Sequence, residues 1–131
     1  MKTRWKTEAD LVAAYLAHIS DGIDTQNDYL LYGRAPDIIR MDADGKLHTI
    51  EAKLRNRRQA IRQCMTHIYI ADFAWILIPR PKSEWVADCE FGLIDAETFE
   101  VVVPAREAAF EKFGPKRDRY IARYWPERKE F

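Results

Sequence analysis

Three charged residues, Asp37, Glu51 and Lys53, lie in apolar segments where charged side chains are uncommon. Asp37 follows a proline, and Glu51 and Lys53 lie two residues apart within residues 50–54. Two carboxylates that converge on one point repel each other unless a cation lies between them. Oxygen ligands select hard cations, so this set predicts a site for Mg²⁺ or Mn²⁺ and not for zinc.

A hairpin turn at residues 42–45, Asp-Ala-Asp-Gly, is expected to bring the two carboxylates together. A loop of two, three or four residues would set Asp37 opposite Ala52, Glu51 or Ile50, always within one residue of Glu51. Directly opposed residues have Cβ atoms about 5 Å apart. Both carboxylates can therefore bind one ion if they point to the same face.

Lys53 points to the face of Glu51, because side chains alternate along a strand. The alternative interpretation is an ordinary half-exposed strand whose polar face carries Thr49, Glu51 and Lys53, with Asp37 starting the previous strand. Spacing alone leaves both interpretations open.

Hydrophobic periodicity predicts a helix on each side of the hairpin. Thr7 caps a helix from about residue 8 to residue 19, and Asn56 caps another that reaches about residue 71. Residues 20–27 are polar and are expected to form a loop. Extended segments are predicted at residues 29–32, 36–41, 46–54, 73–78, 91–94 and 99–103, with a short helix near Trp85.

Residues from about 105 form a basic, aromatic tail that is helical in composition, interrupted at Gly114-Pro115 and ended by Pro126. Its mixture of cations and aromatics is typical of a single-strand-binding surface, but Tyr120 and Tyr124 are also spaced for packing on the domain. The order of elements predicts one α/β domain over residues 1–131, with a mixed central sheet of about five strands flanked by helices.

Two short motifs carry a resemblance to a known family. Residues 34–39, Arg-Ala-Pro-Asp-Ile-Ile, are followed after a gap by Ile-Glu-Ala-Lys at residues 50–53, then by a helix bearing Gln63 and the strand at 73–78. This arrangement resembles the core of the PD-(D/E)XK nuclease superfamily and covers about residues 8–79. The resemblance implies a restriction-endonuclease-like fold.

The resemblance also implies a role for each residue of the motif. The residues that match Asp37 and Glu51 bind a divalent metal, often joined by the backbone carbonyl that matches Ala52. The lysine that matches Lys53 orients or activates the attacking water. A hard cation polarises the scissile phosphate and lowers the pKa of its water.

Glu8 and Gln63 are further candidates for the catalytic set. Glu8 resembles the carboxylate that many members carry on the first helix, although it is also an ordinary acid favoured by the helix dipole. Gln63 resembles the glutamine on the helix after the motif, but His67 stands where exonuclease branches have tyrosine. As a lone histidine at the edge of a buried stripe, His67 is interpreted as structural.

Basic residues follow the motif at once, with five cations and no acid from Lys53 to Arg62. Phosphate is attracted to arginine and to a helix N-terminus. A merely solvated helix start explains them less well, because positive charge there opposes the helix dipole. The predicted nucleic-acid contacts are Arg55, Arg57, Arg58 and Arg62.

The expected function is a deoxyribonuclease, an endonuclease that uses Mg²⁺ (or Mn²⁺) and acts in DNA repair, recombination or phage or mobile-element DNA processing. The alternative is a catalytically silent module of the same fold that binds nucleic acid or protein. Cutting both strands of a duplex would favour a homodimer.

Composition sets the remaining expectations. A formal net charge of zero argues against a protein that coats nucleic acid by bulk electrostatics. Cys64 and Cys89 lack the paired spacing of a zinc or redox motif. No apolar stretch reaches the length of a membrane span, and no secretory signal is evident, so a cytoplasmic protein without a membrane partner is expected.

Overall fold

The computed structural model describes residues 3–29, 36–108 and 114–127. A mixed sheet of six strands lies at the centre, with the strands in chain order across it. The parallel pairs are β3 with β4 and β4 with β5, and the other neighbours are antiparallel. The strands are β1 (Asp24–Asn27), β2 (Ile38–Met41), β3 (Leu47–Ala52), β4 (Phe73–Ile78), β5 (Gly92–Asp95) and β6 (Val101–Val103).

Three α-helices flank this sheet: α1 (Glu8–His18), α2 (Arg57–His67) and α3 (Gly114–Tyr124), with a short 3-10 helix at Ser83–Val86. The predicted caps of α1 and α2 are confirmed. The Thr7 hydroxyl accepts from the Asp10 N–H at 3.0 Å, and the Asn56 side chain accepts from the Gln59 N–H at 3.2 Å. The α/β class with a mixed, helix-flanked sheet is therefore as expected.

The prediction of about five strands was wrong by one, and residues 24–27 were wrongly predicted as loop. β1 is a polar edge strand, so it has no apolar alternation to mark it, and its pairing with β2 defines it. Of the extended run predicted at 29–32, Tyr29 lies in a turn and residues 30–32 lie outside the described residues.

Two helix boundaries also differ from the prediction. α2 ends at His67, not near residue 71, because the N–H groups of Ile70 and Ala71 both turn back to the His67 carbonyl at 2.9 Å. Gly114 and Pro115, predicted as an interruption, lie within α3 as it is described from Gly114, and residues 109–113 lie outside the described residues. Residues 105–108 are not helical.

A three-residue loop closes the β2–β3 hairpin. The Asp42 N–H donates to the Lys46 carbonyl at 3.1 Å, and Gly45 takes a left-handed conformation with φ of 77°. This is the type I turn with a glycine bulge that loops of this length favour. The resulting register pairs Ile38 with Ile50.

The two faces of the sheet bury different helices. Leu11, Val12 and Tyr15 of α1 pack on one face, which includes Ile38 and Ile50. On the other face, α2 covers β4 and β5, and α3 covers β2 and β3. Residues of α3 and its C-terminus that join this core are Ile121, Tyr124 and Trp125.

Trp125 anchors the C-terminal segment. It is fully buried, and its Nε1 donates to Asp24 Oδ2 at 2.5 Å across β1. Tyr120 is partly buried against the same cluster and stacks on Tyr124 with ring centroids 6.1 Å apart. Packing on the domain therefore accounts for the spacing of these tyrosines.

Gly92 provides a test of the packing between β4 and β5. A Cβ at this position would lie 2.4 Å from Trp75 Cε3 and 2.7 Å from the Ala105 backbone nitrogen. Because the backbone cannot easily move away, we expect Gly92→Ala to lower the free energy of unfolding by about 2 kcal/mol in urea titrations.

The matched control is Gly114→Ala, since no atom of the described residues, apart from its chain neighbours and the backbone of its own helix, lies within 4 Å of a Cβ built on Gly114. Its free energy of unfolding should change by less than about 0.5 kcal/mol. Equal urea midpoints for the two variants would contradict the close packing at Gly92.

Candidate functional site

Three acidic residues lie abreast at one end of the sheet. The β2–β3 register, continued by one residue, sets Asp37 opposite Glu51. The β1–β2 register sets Asp28 opposite Asp37, and the Asp28 N–H donates to the Asp37 carbonyl at 3.1 Å. Because opposed residues point to one face of an antiparallel pair, all three side chains share the face that α2 and α3 cover. We refer to Asp28, Asp37 and Glu51 as the acidic row.

Asp37 is held in place by β3, the strand that carries Glu51. Its Oδ2 accepts from the Ala52 N–H at 2.8 Å, and the residue is 7% exposed. Burial raises the pKa of Asp37 to about 6, and Glu8 adds to the rise, while the Ala52 N–H and the charge of Lys53 oppose it. This carboxylate is thus fixed in place but costly to ionise.

Glu51 is buried more deeply, at 2% exposed. Burial and the negative charge of Asp37 raise the pKa of Glu51 to about 8, and Lys53 partly opposes them. Its Oε1 receives no hydrogen bond from the described residues. A buried carboxylate oxygen without a donor is unfavourable unless a cation or solvent meets it.

Lys53 and Glu8 lie close enough to the two carboxylates for their charges to act on them: Lys53 on both Asp37 and Glu51, and Glu8 on Asp37. The Lys53 N–H donates to the Leu77 carbonyl at 2.9 Å, which extends the pairing of β3 with β4 and fixes the direction of the lysine. Glu8 Oε2 accepts from the Leu54 N–H at 3.2 Å, which ties the start of α1 to the end of β3. Four of the five predicted catalytic residues are therefore brought together at this end of β3.

Gln63, the fifth, lies on α2 one turn before His67, with its Oε1 buried and without a hydrogen bond from the described residues. It is His67 that reaches the site, with its Nδ1 3.8 Å from Glu51 Oε1. Their spacing of four residues placed Gln63 and His67 on one face of the helix. It could not predict which of the two lies level with Glu51 on β3.

Asp28 is the second residue that sequence reasoning missed. Its Oδ1 accepts from Arg123 Nη2 of α3 at 3.2 Å, and the residue is 2% exposed. The negative charges of Asp28 and Glu51 add to the burial that raises the pKa of Tyr120, so α3 covers this part of the row. No signal marked Asp28, because the strand before it was not recognised.

The predicted basic residues lie at the entrance to α2 and along it. All four are exposed, and the guanidinium of Arg57 lies 5.1 Å from the centre of the Trp85 ring. Arg55 lies between β3 and α2 and Arg57 is the first residue of α2, both close to Lys53 in the chain, whereas Arg62 lies in the middle of the helix. These residues are Arg55, Arg57, Arg58 and Arg62.

No protein-family model matches the chain, and no curated protein matches it either. A solved structure described as the SPO1766 protein of unknown function from Silicibacter pomeroyi is similar, with a TM-score of 0.53 and 20% sequence identity. The match covers 88% of this chain and 87% of that one. At this identity the similarity concerns the fold.

The oxygen atoms of Asp37, Glu51 and Ala52 suit a hard divalent cation that takes only a few of its ligands from the protein. Within residues 3–29, 36–108 and 114–127, no group of three or more His, Cys, Asp or Glu side chains has metal-binding geometry. Asp37 and Glu51 supply two facing carboxylates, and the Ala52 carbonyl follows Glu51 in β3. Mg²⁺ is commonly held by one or two carboxylates together with waters and substrate phosphates, so this smaller set fits it.

The opposite face of the sheet has a cavity of about 340 Å³ between the end of α1 and β1. Arg40 lines it and is paired with Asp21 at the rim. The cavity contains none of the acidic row. In the described part of the chain, no helix combines the length and the apolar character that crossing a membrane requires.

The two raised pKa values predict how stability depends on pH. The folded protein retains a proton on Asp37 up to about pH 6 and on Glu51 up to about pH 8, whereas the unfolded chain loses both protons near pH 4. Stability from these groups is therefore fully present at low pH and is lost as pH rises toward 8. In the absence of metal, Glu51→Gln should raise the free energy of unfolding at pH 8 by about 1–2 kcal/mol.

Urea titrations with EDTA at about pH 4 and pH 8 measure this difference. Glu84→Gln, an exposed change of the same type, should leave stability unchanged to within about 0.5 kcal/mol at both pH values. A loss of stability in Glu51→Gln at pH 8 would contradict the conclusion that the ionised Glu51 carboxylate destabilises the fold.

Proposed function

We propose that this chain is a divalent-metal-dependent phosphodiesterase of the PD-(D/E)XK type that hydrolyses DNA. The observation that carries the proposal is the buried pair Asp37 and Glu51, set opposite each other with Lys53 beside them. The position of the pair at the start of β2 and the end of β3, followed by α2 and β4, also agrees with the motif order of that superfamily.

A bound Mg²⁺ (or Mn²⁺) would supply charge that neutralises the scissile phosphate and acidifies a water. The chain would hold it with Glu51, whose Oε1 receives no hydrogen bond from the part of the chain that the structure describes, and with Asp37, whose Oδ2 is already fixed by the Ala52 N–H. The Ala52 carbonyl would provide a third protein oxygen. Each of these donors lies on or beside β3, so the strand orients the set.

Lys53 would act on the substrate that is bound beside these metal-binding oxygens. Its ammonium is close enough to lower the pKa of both carboxylates, and the residue precedes the basic start of α2 in the chain. From there it can hold the attacking water and stabilise the negative charge that develops on phosphate. Glu8, whose carboxylate reaches the end of β3, would help to orient the same water.

Gln63 and the arginines would have supporting roles. Gln63 lies on α2, on the face of His67, and its buried Oε1 would accept a hydrogen bond from a water of the site. The exposed arginines Arg55, Arg57, Arg58 and Arg62 would contact the phosphate backbone. A role in DNA repair, recombination or phage or mobile-element DNA processing, in the cytoplasm, is consistent with this activity.

A catalytically silent binding module is the competing function. Such a module needs the arginines but gains nothing from two facing carboxylates, whose burial lowers stability. The acidic row therefore favours the enzyme. Cleavage of both strands of a duplex would further require two sites, which is the basis for proposing a homodimer.

Nuclease activity can be tested with single-stranded, duplex, nicked and branched DNA in Mg²⁺, Mn²⁺ or EDTA. Asp37→Asn and Lys53→Met should each lower the cleavage rate by about a hundredfold or more, because each removes a group that acts on the reacting phosphate. Asp44→Asn, in the exposed hairpin loop, and Lys46→Met are the matched controls and should keep the wild-type rate. Equal background cleavage in all five proteins would eliminate the enzyme.

Cation binding has a readout that does not depend on cleavage. Mg²⁺ at about a hundred times its dissociation constant should stabilise the wild type by about 2.7 kcal/mol in thermal unfolding near pH 8. Asp37→Asn should lose most of this gain, and Asp44→Asn should retain it. Stabilisation of equal size in both variants would show that the ion binds elsewhere.

A further inference from the structure

The cavity of about 340 Å³ beside β1 combines apolar side chains with hydrogen-bond donors. Leu16, Ile19 and Ile23 supply half-buried apolar side chains from the end of α1 and the segment that leads to β1. Arg40 of β2 and Asn27 of β1 supply the donors. Pockets for small organic ligands have this composition, with a few polar groups among apolar ones. We call this space the α1–β1 cavity.

Arg40 provides the positive charge of the α1–β1 cavity, and its side chain is only 9% exposed. Its Nε donates to Thr25 Oγ1 at 3.0 Å, and its Nη2 donates to Asp21 Oδ1. Its Nη1 has no acceptor among the described residues, yet it is not one of the fully buried atoms without a partner. The guanidinium therefore keeps donors that a ligand in the cavity can use.

Asp21 is the one acid among the described residues that line the cavity, and its side chain is 47% exposed. It contacts Arg40 through a single oxygen, Oδ1, which also accepts from the Ile23 N–H at 3.1 Å. A carboxylate binds a guanidinium most strongly with two oxygens side by side. The exposed, one-oxygen contact of Asp21 is therefore one that a better-placed carboxylate can share or replace.

Asn27 adds a second donor to the same side of the sheet. It lies two residues after Thr25 on one face of β1, diagonal to Arg40 of β2. Its Oδ1 accepts from the Tyr29 N–H at 3.0 Å, which fixes the direction of the amide. Its Nδ2 is buried and has no acceptor among the described residues. A buried donor without an acceptor is unfavourable, and an oxygen atom of a ligand would remove that cost.

We propose that the α1–β1 cavity binds a small carboxylic acid that carries a short aliphatic chain. The carboxylate pairs with Arg40 and accepts from Asn27. The aliphatic chain packs on Leu16, Ile19 and Ile23, which leave a free phosphate ion with no polar partners on that side. The cavity lies on the face of the sheet opposite the acidic row, so this binding site is additional to the proposed nuclease and does not depend on it.

Amide NMR titrations of the full chain, in EDTA at neutral pH and about 0.1 M salt, test the proposal. The probes are hexanoate, hexanol and inorganic phosphate. Hexanoate should shift the amide signals of residues that line the cavity, between Leu16 and Asn27 and at Arg40. Hexanol and phosphate should bind about tenfold more weakly or worse, because hexanol lacks the charge and phosphate lacks the apolar chain.

Three variants should change the affinity for hexanoate in stated directions. Arg40→Gln should weaken binding about tenfold or more, and Asn27→Ala about threefold, because each removes a donor to the carboxylate. Asp21→Asn should strengthen binding about threefold, because it removes the competing negative charge. The matched control is Asp44→Asn, an exposed acid of the hairpin loop, which should bind hexanoate as the wild type does.

The gain expected in Asp21→Asn keeps the test decisive if Arg40→Gln does not fold, since damage to the fold weakens binding and does not strengthen it. Hexanoate that shifts no signal of the cavity residues would show that the cavity holds only water. Unchanged affinity in Asp21→Asn would overturn the proposal, because Arg40 would then not be the partner of the carboxylate. Hexanol or phosphate that binds as tightly as hexanoate would reject an aliphatic carboxylate as the ligand.

Discussion

The repulsion between Asp37 and Glu51 is the constraint on which the site depends. The β2–β3 hairpin brings the two carboxylates together, because its three-residue loop sets Asp37 and Glu51 opposite each other on one face. A shift of one residue in this register would turn one carboxylate to the face covered by α1. The left-handed Gly45, far from the carboxylates, therefore helps to determine whether they can act on one ion.

The hairpin was predictable because its signal is local. An Asp-Ala-Asp-Gly loop and apolar segments on either side limit the register to three choices, and the structure selects the middle one. The same holds for the caps Thr7 and Asn56, whose hydrogen bonds span three residues. Glu8 could be proposed only from resemblance, since its contact with the Leu54 N–H joins residues 46 positions apart in the chain.

Asp28 and His67 show what sequence patterns cannot supply. The strand before Asp28 is polar at an edge of the sheet, so its existence depends on pairing with β2 and not on its own composition. His67 was interpreted as structural because the spacing of residues on a helix shows which way a side chain points. It does not show which residue of the neighbouring strand that side chain reaches. Side chains on a helix tilt toward its N-terminus, which lets His67, at the end of α2, reach back to Glu51.

Stability and the proposed cation binding would be coupled through Asp37 and Glu51. With their pKa values raised to about 6 and about 8, Asp37 and Glu51 resist ionisation in the folded chain, and Lys53 offsets this only in part. A divalent cation prefers both carboxylates ionised, so its binding must displace protons near neutral pH and should weaken as pH falls. The same burial that destabilises the free carboxylates also lowers the local dielectric, which strengthens their attraction for a cation once they are ionised. The destabilisation of the fold by ionised carboxylates and the affinity of the proposed cation site would thus have one physical origin.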